Sequence, residues 1–450
     1  MPRLAIAQVN ASAGGGGAEG IARQLHRGFR SRGHDATLFV GRGPATGPGV
    51  RTFPADWQTR LRHALVGPLR IADRRRGRES FHYPATRRLL ANLARTADIV
   101  HLHNLHGGFF DLRVLPELSR AVPVVLTLHD AWLLSGHCAH SFECERWRTG
   151  CGSCPDLRIY PAVEVDDTAA NWQRKRAIYR RAQLHAAVPS AWLARRVEAS
   201  MLAPAIEELR VIPNGVDIAT FRTGDRQAAR RELGIAGHDP ILLFVGSELA
   251  TNPFKDLATV ERAAAIAAEL LERNLTLILL GDRGDERRTG RVAIRSIPFQ
   301  EAADDTARHY QAADLLVHAA HADTFPTTVL EAMACGTPVI ATAVGGIAEQ
   351  VRSTAGSVND AQWTAHDRHE ATGVLVPRAD AEGMGAAIAV VLRDEPLRLQ
   401  LGRNAARTAA REYDAEQQCA VYLDWYHHIL ERRGRATPAR GHRAVIAEHE

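Results

Sequence analysis

Asp323 and Glu331 stand eight positions apart around a stretch whose composition specifies a helix start. Pro326 and Thr327 can open that helix, residues 329–335 suit its interior, and Gly336 suits its C-terminal cap. Residues 338–341 then predict a short buried strand. The first N–H groups of such a helix, at Thr327, Thr328 and Val329, have no partner within it, and its dipole end is positive. Together they make a socket for an anion such as a diphosphate. Carboxylates at Asp323, before the helix, and Glu331, two turns in, would hold sugar hydroxyls at different depths. On spacing alone, a loop aspartate and a surface glutamate explain the pair at least as well.

Three further groups carry chemistry. Lys255 follows an apolar run at 241–245 and the turn Gly246-Ser247; a lysine there can neutralise a diphosphate, although its spacing fits a surface lysine equally. His129 ends the apolar run 122–128, where open α/β sheets bind ligands. It suits contact with a sugar or acceptor, or a hydrogen bond to neighbouring chain. Cys138, Cys144, Cys151 and Cys154 follow the spacing C-x5-C-x6-C-x2-C. Four thiolates so spaced can close a tetrahedral zinc shell, with His137 and His140 as substitute ligands, and a structural zinc is expected over redox-labile pairs or free thiols.

Residues 330–341, Leu-Glu-Ala-Met-Ala-Cys-Gly-Thr-Pro-Val-Ile-Ala, resemble the E-x7-E region of the retaining family 4 glycosyltransferases almost letter for letter. The first acidic residue is Asp323 where the family has Glu, and Thr324-Phe325-Pro326 replaces Gly-Phe-Gly. Pro326 offers no N–H, so one backbone contact to the donor must differ. A branch similar to the colanic-acid-pathway transferases carries this form, together with the His-Asp-x-Trp lead at 129–132 and the cysteine spacing. The resemblance covers roughly residues 3–430. It implies the GT-B fold, two Rossmann-like domains facing a cleft, and transfer of a hexosyl unit from a nucleotide sugar of UDP or GDP type to a glycan, lipid-linked or small-molecule acceptor. By residue it implies Lys255 and the 327–329 N–H groups on the leaving phosphate, Glu331 on the ribose, Asp323 on the donor sugar and His129 lining the sugar pocket. Gly16, Gly17, Gly246, Ser247 and Phe325 complete the donor contacts. The family often carries an arginine directly after the glycine; Ser247 stands there instead, leaving Lys255 alone or assisted by Arg283. With no D-x-D pair, no catalytic metal is expected. The same residues are compatible with a GT-B sugar phosphorylase, a nucleotide-sugar epimerase, or an inactive scaffold subunit of a polysaccharide-assembly complex.

Two α/β series must position these groups. The first takes strands near 4–9, 35–41, 98–103, 122–128, 184–188 and 209–212. A glycine-rich turn at 14–17 follows the first strand and lets backbone approach a phosphate or sugar closely; it lacks the acidic partner of a dinucleotide fingerprint. Residues 1–217 are thus expected as an acceptor-binding domain with a cysteine-rich insertion at 136–156, and 218–239 as a linker. The second series, 240–412, holds strands at 241–245, 275–280, 338–341 and 374–377 and would bind the donor. Residues 352–370 are an unusually long polar loop. A helix at 413–433 is expected to cross back onto the first domain, ahead of a disordered tail at 434–450.

The 450 residues are 45% hydrophobic and 24% charged, ordinary for a globular protein. The net charge of +5 is concentrated: residues 60–88 hold nine arginines against Asp73 and Glu79. Trp57, Leu61, Leu65 and Leu69 recur among them at helical spacing. This suits an amphipathic surface resting on anionic lipid, or a solvated basic face. No zinc-finger module or aromatic platform accompanies the charge, so nucleic acid is not expected. No apolar run is long enough to span a bilayer and the first residues are strand-like, so a cytoplasmic location, peripheral on the inner membrane face, is expected.

Overall fold

The computed structural model describes residues 2–235, 237–355 and 364–436. Two seven-stranded sheets organise it. The first contains β1 (Ala5–Asn10), β2 (Asp35–Val40), β3 (Val50–Thr52), β4 (Ile99–Leu102), β5 (Val124–Thr127), β6 (Leu184–Val188) and β7 (Ile206–Val211). Its order is β3-β2-β1-β4-β5-β6-β7, parallel throughout. The second contains β8 (Ile241–Val245), β9 (Leu275–Leu280), β10 (Arg287–Thr289), β11 (Val292–Ile297), β12 (Leu315–His318), β13 (Val339–Thr342) and β14 (Gly373–Val376). Its order is β10-β11-β9-β8-β12-β13-β14, and only the edge strand β10 is antiparallel. Strands buried on both faces read as unbroken apolar runs, as in β8, where all five residues are buried. Both halves are Rossmann-like, and the protein has the GT-B architecture.

In each sheet the strand order reverses once, beside the first strand. Chain leaving the two strands on either side of such a point diverges and opens a crevice at their C-terminal ends. In the first sheet that crevice lies between β1 and β4, so the glycine-rich turn and the loop from His103 to His106 border it. In the second it lies between β8 and β12, bordered by the turn through Lys255 and by residues 319–324.

The helix Ala415–Ala436 returns to the first domain. Its Cys419, Tyr422, Leu423, Trp425, Tyr426 and Ile429 pack with Ile21, Leu25 and Phe29 of the helix Gly17–Ser31 and with Ile6, Ile99 and Val125 of the sheet. Two buried polar contacts fix its register: the Tyr422 hydroxyl on Thr127 Oγ1 at 2.8 Å and the Tyr426 hydroxyl on His101 Nδ1 at 2.6 Å. Its entry is pinned to the end of the first domain by Val216 N–H on Tyr413 O and Ala415 N–H on Val216 O. Residues 218–239 are not wholly irregular: Asp225 caps a helix at Arg226–Glu232. Residues 434–436 of the expected tail are helical, because this returning helix continues to Ala436; residues 437–450 lie outside the described residues, as do 356–363 of the long polar loop.

Trp425 is among the largest fully buried side chains. Trp425→Ala should cost about 3–5 kcal/mol. Urea unfolding followed by first-domain fluorescence checks this; an unchanged midpoint would show that the returning helix contributes little.

Candidate active site in the inter-domain cleft

The site is assembled by short-range constraints on each side. Asp256 caps the helix Leu257–Leu271 through Thr259 N–H at 3.1 Å, which fixes the residue directly before it. Lys255 is also strapped to the chain leaving β12 by its bridge to Ala320 and by Asp256 N–H on Ala319 O. Its ammonium reaches Asp323 Oδ2 at 2.8 Å and His318 Nε2 at 3.2 Å. Burial alone would raise the Asp323 carboxyl, but Lys255 and His318 outweigh it and hold it well below the ordinary carboxylate range. Burial lowers His318 to about 4, with Lys255 adding to the effect, so its imidazole is neutral at physiological pH.

Backbone at Asp323 is held from behind by two glycines. Gly345 has φ +55°, and a Cβ on it would stand 1.8 Å from Asp323 O. Gly346 N–H donates to Thr324 O at 3.0 Å. Only glycine allows this approach.

The helix begins at Thr327, with Pro326 as its cap and no capping side chain. The N–H groups of Thr327, Thr328 and Val329 have no partner among the described residues, and the buried Thr328 Oγ1 has none either. Glu331 lies only one turn in, because the helix starts four residues before it. Its Oε2 accepts from the Tyr310 hydroxyl at 2.7 Å. Burial raises its carboxyl, against the opposing hydrogen bonds from Tyr310 and Thr327.

The opposite wall comes from the first domain. Gly16 caps the helix Gly17–Ser31 without a side chain. A Cβ on Gly17 would stand 3.6 Å from Thr327 Oγ1, so the first turns of two helices lie against each other across the cleft. A cavity of about 500 Å3 beside them is lined by Gly16, Gly17, Lys255 and Asp323, and also by His106, Asp130 and Tyr160. The domains are joined here by the Thr324 hydroxyl on His129 O at 2.6 Å and by Asn214 Nδ2 on Phe325 O at 3.1 Å.

Other expected donor residues are placed differently. Gly246 and Ser247 follow β8, with Ser247 exposed, and Arg283 is exposed beyond β9. Phe325 is buried against Tyr413, so its ring belongs to the core. Val329 is likewise buried and offers only its N–H. His129 turns its ring onto His103, with Nε2 at 3.2 Å from His103 Nδ1, and burial lowers it to about 4. It stands next to the cavity without lining it.

Residue spacing did not single out His106, Tyr160, His318 or Tyr310. His106 Nε2 pairs with Asp130 Oδ2 at 2.8 Å and its Nδ1 meets the Tyr160 hydroxyl at 3.3 Å. Burial lowers this imidazole, but Asp130 outweighs it and raises the net value. The signal available was position: His106 follows β4, at the first sheet's point of reversal.

The family model Glycosyltransferase Family 4 matches residues 15–220, and Glycosyl transferases group 1 matches 225–408. The chain belongs to the family 4 glycosyltransferases. This family member is 26% identical over 373 residues to WcaC of Escherichia coli, named for colanic acid biosynthesis glycosyl transfer, covering 78% of this chain and 86% of that one. It is 33% identical over 247 residues to a D-inositol 3-phosphate glycosyltransferase of Geodermatophilus obscurus, covering 51% of this chain and 50% of that one. It thus spans about half the length of that relative. Among solved structures, sucrose-phosphate synthase from Thermosynechococcus elongatus superposes with TM-score 0.64 at 19% identity, over 96% and 100% of the two chains. Anabaena HepE in complex with UDP-glucose superposes with TM-score 0.62 at 18% identity, over 94% and 100%.

The cysteine segment of this family member does not form the expected zinc shell. Among the described residues, no three or more His, Cys, Asp or Glu side chains stand where they could hold a metal ion. The four thiols form no disulfide. Gly136 N–H donates to Cys151 Sγ at 3.3 Å, whereas Cys154 Sγ contacts His137 Nε2 at 3.3 Å and Asp156 O at 3.6 Å. Cys151, Gly152 and Ser153 are all left-handed, at φ 55°, 88° and 47°, and the two knuckle thiols take different partners. Burial raises Cys138 to about 11 and Cys151 to about 12, which keeps both protonated.

The Asp323 carboxyl titrates lower folded than unfolded, where it sits near 4. The stability it contributes is complete above the unfolded value and is lost as pH falls toward the folded one. Asp323→Asn should therefore flatten the decline of the thermal midpoint as pH falls from about 5 to about 2. Equal slopes in variant and parent would contradict the pairing with Lys255.

Proposed function

We propose that the protein is a retaining, hexosyl-class glycosyltransferase that moves a sugar from a nucleoside diphosphate donor to an acceptor hydroxyl, in polysaccharide or glycoconjugate biosynthesis. The observation that carries this reading is the convergence of Lys255, the free N–H groups at 327–329 and the opposed start of the helix Gly17–Ser31 on one cleft. Positive ends placed so close repel each other, and a diphosphate between them removes that repulsion. HepE, solved with UDP-glucose, supports UDP sugars as first donors to test. The name of WcaC supports polysaccharide assembly as the setting.

In this reading the bond from the sugar's anomeric carbon to the leaving phosphate oxygen breaks while charge accumulates on the diphosphate. Lys255 and the N–H groups at 327–329 are aimed at that charge and gain strength as it grows. Asp323, kept ionised by Lys255, accepts from hydroxyls of the donor sugar. Glu331, whose Oε2 is held by Tyr310, accepts from the ribose hydroxyls. The acceptor oxygen bonds to the anomeric carbon from the face the phosphate leaves, and its proton passes to a phosphate oxygen. His106, set between Asp130 and Tyr160 on the cavity wall, orients the acceptor. The neutral imidazoles of His129 and His318 lie behind the cavity wall, His129 against His103 and His318 against Lys255, and add no charge to it.

Lys255→Ala and Glu331→Ala should each lower kcat about a hundredfold or more with the fold intact by circular dichroism; parent-like rates in either would sink the mechanism. His106→Asn should raise KM for the acceptor and leave KM for the donor unchanged. A rise in donor KM alone would move His106 out of the acceptor side.

A further inference from the structure

The basic stretch is the part of the molecule that neither the fold nor the cleft accounts for. Residues 57–75 form two short helices, Trp57–Leu65 and Gly67–Arg75. They are firmly anchored from beneath. Asp56 caps the first through Thr59 N–H at 2.9 Å and pairs with Arg88 at 2.8 Å. Gly77, just past the second, lies under Val165 O so closely that a Cβ there would be 1.8 Å away. Arg78 pairs with Asp167, and Asp73 faces His82.

The outer face is bare. Trp57, Leu61, Leu65, Leu69 and Ile71 are 71%, 53%, 70%, 49% and 56% exposed. They make up five of the thirteen exposed large apolar side chains among the described residues, so they are a patch and not the usual scatter. Trp57, Leu61 and Leu65 are four residues apart and form one stripe along the first helix. Arg60, Arg62, Arg75 and Arg76 are exposed around them and make no ion pair among the described residues. Exposed Trp and Leu side by side with unpaired arginines is a poor match for water and a good match for the interface of an anionic bilayer, where the rings and branches enter the acyl boundary and the guanidinium groups meet phosphates.

We propose that the helix pair 57–75 is a docking surface for an anionic lipid bilayer. Beneath its second helix lies a cavity of about 440 Å3, lined by Arg70, Phe81, Tyr83, Trp132 and His106. His106 also lines the inter-domain cavity, so docking brings the first-domain side of the cleft against the lipid. No helix among the described residues is long and apolar enough to cross a membrane, so attachment through this face is reversible and set by charge and apolar insertion together. The inference does not depend on glycosyl transfer, because its test involves no donor.

The test is co-sedimentation of the full chain with vesicles of phosphatidylglycerol mixed with phosphatidylcholine, and with phosphatidylcholine alone. The parent should bind the anionic vesicles, release in high salt, and ignore the neutral ones. Each arginine removed among Arg60, Arg62, Arg75 and Arg76 should weaken binding roughly fivefold. Leu61→Ser with Leu65→Ser should weaken it at least tenfold while leaving the salt dependence in place. A vesicle-induced blue shift of tryptophan fluorescence should vanish in Trp57→Phe. Parent-like binding in the apolar and arginine variants, with circular dichroism showing them folded, would overturn the proposal. So would a parent that ignores anionic vesicles and instead forms a dimer that Leu65→Glu dissociates.

Discussion

Two helices begin against each other across one cleft, and the half-buried ammonium of Lys255 stands beside them. That concentration of positive charge is the constraint on which the rest of the structure depends. Left alone it would push the domains apart. Asp323 offsets part of it, through its contact with Lys255 at 2.8 Å. The N–H groups of 327–329 have no hydrogen-bond partner among the described residues. On the proposed function an anion held there would touch both domains, which would link its binding to the relative position of the two halves.

The scaffold makes that confrontation reproducible. Each sheet opens its crevice where its strand order reverses, and the returning helix Ala415–Ala436 buries Tyr422, Trp425 and Tyr426 against the first domain, fixing which crevice faces which. Buried imidazoles line the path between the helix and the cleft. His101 touches Tyr426, His103 touches His129, and His129 O receives the Thr324 hydroxyl from the second domain. Burial lowers His101 to about 3 and His103 well below its ordinary value, so the row stays neutral and does not add to the charge already present.

Much of the architecture and part of the site were legible in the sequence. Apolar runs marked most parallel strands, because such strands are buried on both faces. The helix start was legible from local punctuation, a proline before it and a glycine after it, whereas Asp323 and Lys255 were singled out only by the family resemblance, since spacing alone fitted a loop aspartate and a surface lysine as well. One edge strand of each sheet escaped: Arg287–Thr289 is polar and exposed, and Val50–Thr52 is three residues long. Missing β12 hid His318, and the contact of Tyr310 with Glu331 joins positions that no spacing rule relates. The cysteine segment misled for the opposite reason. Its spacing was right for a metal, but three successive left-handed residues assign Cys151 and Cys154 to different partners. The Trp57 stripe was visible as a period, whereas its exposure needed the packing of the whole first domain.

A crystal structure of the protein with UDP would show where a diphosphate sits. Its phosphate oxygens should lie within hydrogen-bonding distance of Lys255 Nζ and of the Thr328 and Val329 N–H groups, with Gly17 approaching from the other domain. UDP bound elsewhere, with Lys255 still closed on Asp323 and the helix start untouched, would contradict this placement.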